Sequence, residues 1–151
     1  MDGDRLTAAP LDPPADLPTP TIEAVRRDGD TLIASGQIAT RDGVLLATGR
    51  VGAEVDLETA RRCAWQCARN VLEAVRADAG DLENVEAVKL TIFVASTPDF
   101  TDQPLVGHAA SALVLDVLGD RGRHARAAIG VAALPLNTPV EVEGTFRLRQ
   151  A

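Results

Sequence analysis

Between residues 57 and 79 the apolar positions recur at helical spacing. Ala60, Cys63, Ala64, Cys67, Ala68, Val71, Leu72 and Val75 form one stripe, the pattern of a helix with a single buried face. Asp56 before it is an N-cap residue type, and Gly80 after it is a natural stop, so the pattern predicts a helix from Leu57 to about Ala79. A second stripe of Leu105, Val106, Ala109, Leu113, Val117 and Leu118 predicts another helix, entered through Asp99-Phe100-Thr101-Asp102 and ended by Gly119. Pro104 fits this helix only within its first turn. Between the helices the period drops to two. Val88, Leu90, Ile92 and Val94 alternate with Lys89, Thr91 and Phe93, which predicts a strand over Val85 to Ser96. Ile22 to Arg27 and Thr31 to Ser35 flank Asp28-Gly29-Asp30 as a hairpin would. Arg41-Asp42-Gly43 marks a further turn before Val44-Leu45-Leu46, and Ala125 to Ala133 and Val140 to Leu148 are the last two strands.

The resulting order is β-β-α-β-α-β-β. It predicts an α+β domain with both helices on one face of a mixed sheet. In the last strand Val140, Val142, Phe146 and Leu148 share one side, and Glu141, Glu143, Thr145 and Arg147 the other. In the preceding strand Ala127, Ile129 and Val131 oppose Arg126, Ala128 and Gly130. If the apolar sides meet the helices, Arg126 and Glu141 share the face away from them. An arginine and a carboxylate so placed can hold a small carboxylic acid and move a proton beside it. From the residues alone, the plainer account of Arg126 and Glu141 is an ion pair on the sheet face.

Composition narrows the function classes. A chain of 151 residues is expected to form one domain, here residues 21–151, behind a proline-rich arm over residues 1–20 that holds five of the nine prolines. The net charge is −7, and there are three Phe, one Trp and no Tyr. Nucleic-acid binding needs a basic surface and rings that stack on bases, so it is not expected. The arginine excess, 14 against the single lysine Lys89, is attributed to genome composition. The start of the chain does not resemble a signal peptide and no run approaches a membrane span, so a cytoplasmic protein without membrane contact is expected. With so few aromatic rings, alanine and valine must fill the core, and association into an oligomer would add burial.

Other candidate residues have plainer explanations. Cys63 and Cys67 could be a redox pair or half a metal site, but they fall on the apolar stripe and are expected to be small buried hydrophobes. Trp65 falls off that stripe and is expected at a subunit contact. His108 and His124 are expected to be a surface or contact residue and a solvated loop residue. Gly49 and Gly52 suit a plain turn better than an anion nest.

Several segments in order carry a resemblance to a known family. They are Ser35-Gly36-Gln37-Ile38 after the first hairpin, Val88-Lys89-Leu90-Thr91-Ile92-Phe93-Val94, Asp99-Phe100, and the block from His124-Ala125-Arg126 to Glu143. Over Ile22 to Leu148 the sequence resembles a divergent branch of the reactive intermediate deaminase (Rid, or YjgF-like) family. The resemblance implies a chorismate-mutase-like fold and a homotrimer with ligand clefts between subunits. It implies hydrolysis of enamines and imines such as 2-aminoacrylate to 2-keto acids and ammonia, with no cofactor and no metal. Position by position, Arg126 matches the arginine that binds the substrate carboxylate, and Glu141 the acid that orients water and shuttles protons. The Ala128 backbone matches a contact to the imine or its water, and Ser35 and Gly36 match the loop lining the cleft.

Three departures bear on the substrate. No tyrosine precedes the first strand, Ala128 stands where a cysteine is frequent, and Arg126-Ala127 replaces an Arg-Ser pair. Two alternatives therefore stand beside the deaminase. One is a biosynthetic enzyme of this fold catalysing dehydration, cyclisation or tautomerisation of an imine or carbonyl compound. The other is a non-catalytic trimer that binds small carboxylates.

Overall fold

A computed structural model describes residues 5–150. The first hairpin joins β1 (Val25–Asp28) to β2 (Thr31–Ile38) through Gly29, whose φ of 57° is the left-handed geometry a two-residue hairpin turn requires. A two-stranded ribbon follows, β3 (Thr40–Arg41) with β4 (Val44–Leu45). Helix α1 runs over Leu57–Ala79; the Asp56 side chain accepts the Thr59 N–H at 2.7 Å, and the Gly80 N–H closes the other end on Arg76. Then come β5 (Val85–Ala95), α2 (Gln103–Leu118), β6 (Ala125–Val131) and β7 (Val140–Leu148), with 3-10 turns at Gly119–Gly122 and Pro135–Asn137.

The main sheet has the order β1-β2-β7-β5-β6. Only β5 and β6 run parallel; every other pairing in it is antiparallel. This is the α+β architecture the periodicity predicts, with both helices over one face. Leu32, Leu90, Ile92, Val140, Val142 and Phe146 from the sheet are buried against Cys63, Cys67, Val71, Val75, Val106 and Val114. Small helix residues let the layers approach closely, and one large ring fills the middle. Gly144 makes room for that ring: a Cβ there would stand 2.7 Å from Phe146 Cε2 and 3.0 Å from Leu90 Cδ2.

Three local expectations change. Strand β1 begins at Val25, because Ile22 is 74% exposed and pairs with nothing in the sheet. Strand β2 runs on past Ser35 to Ile38, through a bulge between Ala34 and Gln37. A second bulge, between Ala87 and Lys89, turns Val88 out of the core, so Ala87 takes the buried place expected of it. Residues 5–24 contain no helix or strand and are exposed. Among the described residues no helix is long and apolar enough to cross a membrane.

Candidate functional site

Strand register decides where the two candidate residues point. Arg126 lies opposite Leu90 on β5, and Glu141 lies opposite Phe93. Side chains alternate along a strand, so positions 90 and 93 face opposite ways. Leu90 is buried beneath the helices. Arg126 therefore projects on the helix side of the sheet, and Glu141 on the uncovered side. Contacts agree: Arg126 Nη1 donates to Ser111 Oγ of α2 at 3.2 Å, while the Glu141 carboxylate lies over Gly36 of β2.

The expectation that both share the uncovered face is thus corrected. It assumed that Ala127, Ile129 and Val131 face the core. Strand β6 is an edge strand only partly roofed by α2, so its helix side tolerates a guanidinium at the rim. The uncovered face is itself partly apolar and takes Ile129, which is 44% exposed. Three rows cross that face: Ile33, Thr145, Lys89 and Ala125; then Glu143, Thr91 and Ala127; then Ile38, Glu141, Phe93 and Ile129. Among the described residues neither Arg126 nor Glu141 makes a salt bridge, which removes the simple ion-pair account.

Arg126 is held by residues the sequence does not single out for this task. His124 Nδ1 lies 2.6 Å from the Gly122 carbonyl oxygen, and Nε2 lies 2.9 Å from Ser111 Oγ. A carbonyl only accepts, so Nδ1 carries the hydrogen, and Nε2 of the neutral ring accepts the Ser111 hydroxyl. The remaining lone pairs of Ser111 then face Arg126. These three side chains, with Leu115 and Arg123, line a cleft of about 330 Å³. Gly107 one turn earlier on α2 leaves space for the arginine: a Cβ there would lie 3.3 Å from Ala128 Cβ and 3.4 Å from Arg126 Nη1. His124 is a bonded member of this group, where solvation was expected. A serine inside an apolar helical run was the available signal for Ser111.

On the uncovered face the Ser35-Gly36 bulge pinches β2 against β7. Ser35 Oγ donates to the Glu23 carbonyl at 2.6 Å, which ties the bulge to the segment before β1. Burial raises the pKa of Glu141 above the usual glutamate value, and the neighbouring negative charge of Glu143 adds to the effect. A half-buried carboxylate with a raised pKa, in no ion pair among the described residues, is a better proton acceptor than an ordinary glutamate. Ala128 lies two residues from Arg126, on the same side of β6.

The other candidates are structural. Cys63 and Cys67 are free and buried, and Cys67 Sγ–H donates to the Val140 carbonyl at 3.3 Å. Burial pushes the Cys63 thiol up to about 11 and holds Cys67 well above the ordinary thiol value. No group of three or more His, Cys, Asp and Glu side chains among the described residues could hold a metal ion. Gly49 is covered by the chain's own Glu54, whose carboxylate accepts the Arg50 N–H at 2.8 Å, and Gly52 packs on Thr97.

Comparison with known proteins agrees with this architecture. The family model described as Endoribonuclease L-PSP matches residues 19–147. Protein TCP17 of Trypanosoma cruzi is 42% identical over 122 residues, which is 80% of this chain and 76% of that protein. The crystal structure of Atu1372 from Agrobacterium tumefaciens, a protein of unknown function, is 43% identical with a TM-score of 0.83, covering 85% of this chain and 83% of that one. The YjgF gene product of Escherichia coli is 25% identical with a TM-score of 0.60, covering 87% and 89%. The match runs through the hairpin, both helices and the Arg126–Glu143 block, so the chain belongs to the Endoribonuclease L-PSP family, the YjgF or Rid family.

Proposed function

We propose that the protein is a hydrolytic deaminase of small 2-imino acids and their enamine tautomers, working in clefts between the protomers of a homotrimer. One observation carries this reading. Among the described residues Arg126 and Glu141 are each in no ion pair, and they sit on opposite faces of one sheet. A site that uses both must take them from two copies of the chain. Arg126 stands at the rim of the edge strand β6, while Ser35, Gly36 and Glu141 lie on the uncovered, partly apolar face. Setting the rim of one protomer against that face of the next covers Ile33, Phe93 and Ile129 and unites the two half-sites.

In such a cleft Arg126 binds the substrate carboxylate through two parallel hydrogen bonds. Gly36 has no side chain, and the Glu141 carboxylate occupies the space this leaves against the β2 backbone. The carboxylate of Glu141 takes a proton from a water molecule as its oxygen attacks the imine carbon, and the C=N π electrons move to nitrogen. Glu141 returns the proton to the resulting amine. The carbinolamine then collapses: Glu141 takes its hydroxyl proton and passes it to the nitrogen, the C=O bond forms, the C–N bond breaks and ammonia leaves. The backbone at Ala128 can orient the nitrogen or the water, so the absence of a thiol there costs no step.

The lack of any tyrosine supports a second reading, in which the same two-chain cleft serves a dedicated dehydration, cyclisation or tautomerisation. One assay separates the two. The protein is coupled to a dehydratase that releases 2-aminoacrylate, and 2-keto acid formation is followed. Acceleration over buffer, abolished in Arg126→Ala, is expected. No acceleration, or full acceleration by Arg126→Ala, overturns the deaminase.

A further inference from the structure

A groove of about 620 Å³ lies between the N-terminal half of α1 and the face of α2 that carries His108, Ala109 and Ala112. A neighbouring hollow of about 480 Å³ continues it, and both are lined by Arg41 and Trp65. We propose that this trough binds a planar heteroaromatic ring bearing phosphate, of the nucleoside monophosphate class.

Charge is the first argument. The chain carries −7 overall, yet four guanidinium groups, Arg41, Arg61, Arg62 and Arg69, line the trough against two carboxylates, Glu58 and Asp42. A concave site of one sign in a protein of the other concentrates ions of its own choosing. Arg61 and Arg69 have loose partners, Glu58 at 3.8 Å and Glu73 at 4.0 Å. Arg41 and Arg62 bind only neutral oxygens, those of Gln66 and Thr59. Neither forms an ion pair among the described residues, and the one carboxylate that feels the Arg62 charge, Asp56, is engaged in capping α1.

Rigidity is the second argument. Arg41 Nε donates to Gln66 Oε1 at 2.9 Å, and Gln66 is only 4% exposed. Gln66 Nε2 donates to Asn70 Oδ1 at 2.8 Å, and Asn70 Nδ2 donates to the backbone carbonyls of Ile38 and Thr40 at 3.1 and 2.9 Å. A sequestered chain of amides, anchored on the sheet, thus aims one arginine. Its Nη groups make no hydrogen bond among the described residues and remain available to an anion. Holding a guanidinium in place beforehand lowers the ordering cost of binding.

Shape is the third. Trp65, the only tryptophan in the chain, is 39% exposed between the two hollows, with Leu46, also partly exposed, on the same wall. An indole face stacks on flat heterocycles and on guanidinium groups. A ring lying on Trp65 places an attached phosphate among Arg41 and Arg62. Phosphate alone would leave the indole uncovered, and an uncharged ring would leave the guanidinium groups unmatched.

Trp65 also provides the measurement, because no other tryptophan or tyrosine contributes emission. The full-length protein is titrated with AMP, adenosine, inorganic phosphate and a single-stranded oligonucleotide while tryptophan fluorescence is followed. Saturable quenching by AMP with a Kd below about 1 mM is expected, with adenosine at least about tenfold weaker and phosphate nearly silent. Arg41→Ala and Arg62→Ala should each weaken AMP by about tenfold. Arg62→Ala should keep the parent's melting temperature, whereas Arg41→Ala, which unpairs the buried Gln66 oxygen, should stay folded and melt lower; deaminase activity should stay unchanged in both, since neither touches Arg126 or Glu141. The proposal is overturned if AMP gives no saturable signal, if adenosine or phosphate equals AMP, if the folded variants bind AMP as before, or if the oligonucleotide binds much more tightly than AMP. Every one of these outcomes is independent of whether imines are hydrolysed.

Discussion

A methyl group on Gly36 would overlap the Glu141 carboxylate oxygen. The obstacle is the end of a flexible side chain, so Gly36→Ala should displace Glu141 and leave the sheet intact. The expected result is a loss of about tenfold or more in kcat, with a melting temperature close to that of the parent. Thermal melts beside keto-acid assays distinguish this from misfolding. Retained activity would mean that the carboxylate is not needed where it lies.

Opposite faces for Arg126 and Glu141 make subunit complementation a sharp test. Arg126→Ala and Glu141→Gln trimers should each be inactive. After joint unfolding and refolding at equal concentration, roughly a quarter of the sites should regain both residues by statistical assortment. Were each site built within one chain, no mixture would recover activity.

Ser111 accepts a hydrogen bond from Arg126 and donates to His124. Replacing it with alanine frees the guanidinium to sample other rotamers without emptying the core. Ser111→Ala should raise KM for imino acids by roughly three- to tenfold, corresponding to about 0.5–1.5 kcal/mol, with kcat changed less. Ser111→Thr, which keeps the hydroxyl, should recover part of the loss. A change confined to kcat would point away from carboxylate binding.

Glu141 has its pKa raised by burial and by Glu143. A carboxyl group whose pKa is higher in the folded state favours folding while protonated, and that contribution is lost as pH rises through the folded-state value. Glu141→Gln should therefore melt higher than the parent at pH 7. The gap should close as pH falls below the ordinary glutamate range. Activity and stability would then oppose one another at this position. Equal melting curves at both pH values would show that Glu141 costs the fold nothing.

Burial pushes the Cys63 thiol up to about 11 and keeps Cys67 well above the ordinary thiol value. At pH 8 the Cys63 thiolate fraction is roughly one part in a thousand. A thiol reagent should react with the native protein far more slowly than with the denatured chain, and two thiols should appear on unfolding, since neither is in a disulfide. Rapid reaction of either in the native state would contradict the burial.

The helices and the order of strands are legible in the sequence because each is written in a strong local period, most plainly in the stripe from Ala60 to Val75. The faces of β6 are not. Alternation separates Arg126, Ala128 and Gly130 from Ala127, Ile129 and Val131, but does not say which set lies beneath α2. The apolar set goes to the uncovered side, where another copy of the chain could bury it. The bulge that ejects Val88 is invisible for a similar reason, since a period of two carries no mark where one residue is skipped. Ser111 stands fifteen residues from Arg126, and only α2 folding back over β6 joins them. The family resemblance points to Arg126 and Glu141 without showing that they look in opposite directions.

Strand β7 is the last strand among the described residues and the middle one of the sheet. On the ribosome, β2 and β5 are made long before the strand that joins them, so the two halves of the sheet stay apart until β7 emerges. Apolar ladder positions such as Leu32 and Ile92 wait for Phe146 and Val142 to emerge. The domain must therefore assemble in one late event across long sequence separations, the slow and non-local kind of folding. Nascent chains arrested before residue 140 would hold exposed strand edges, the natural substrate of a chaperone.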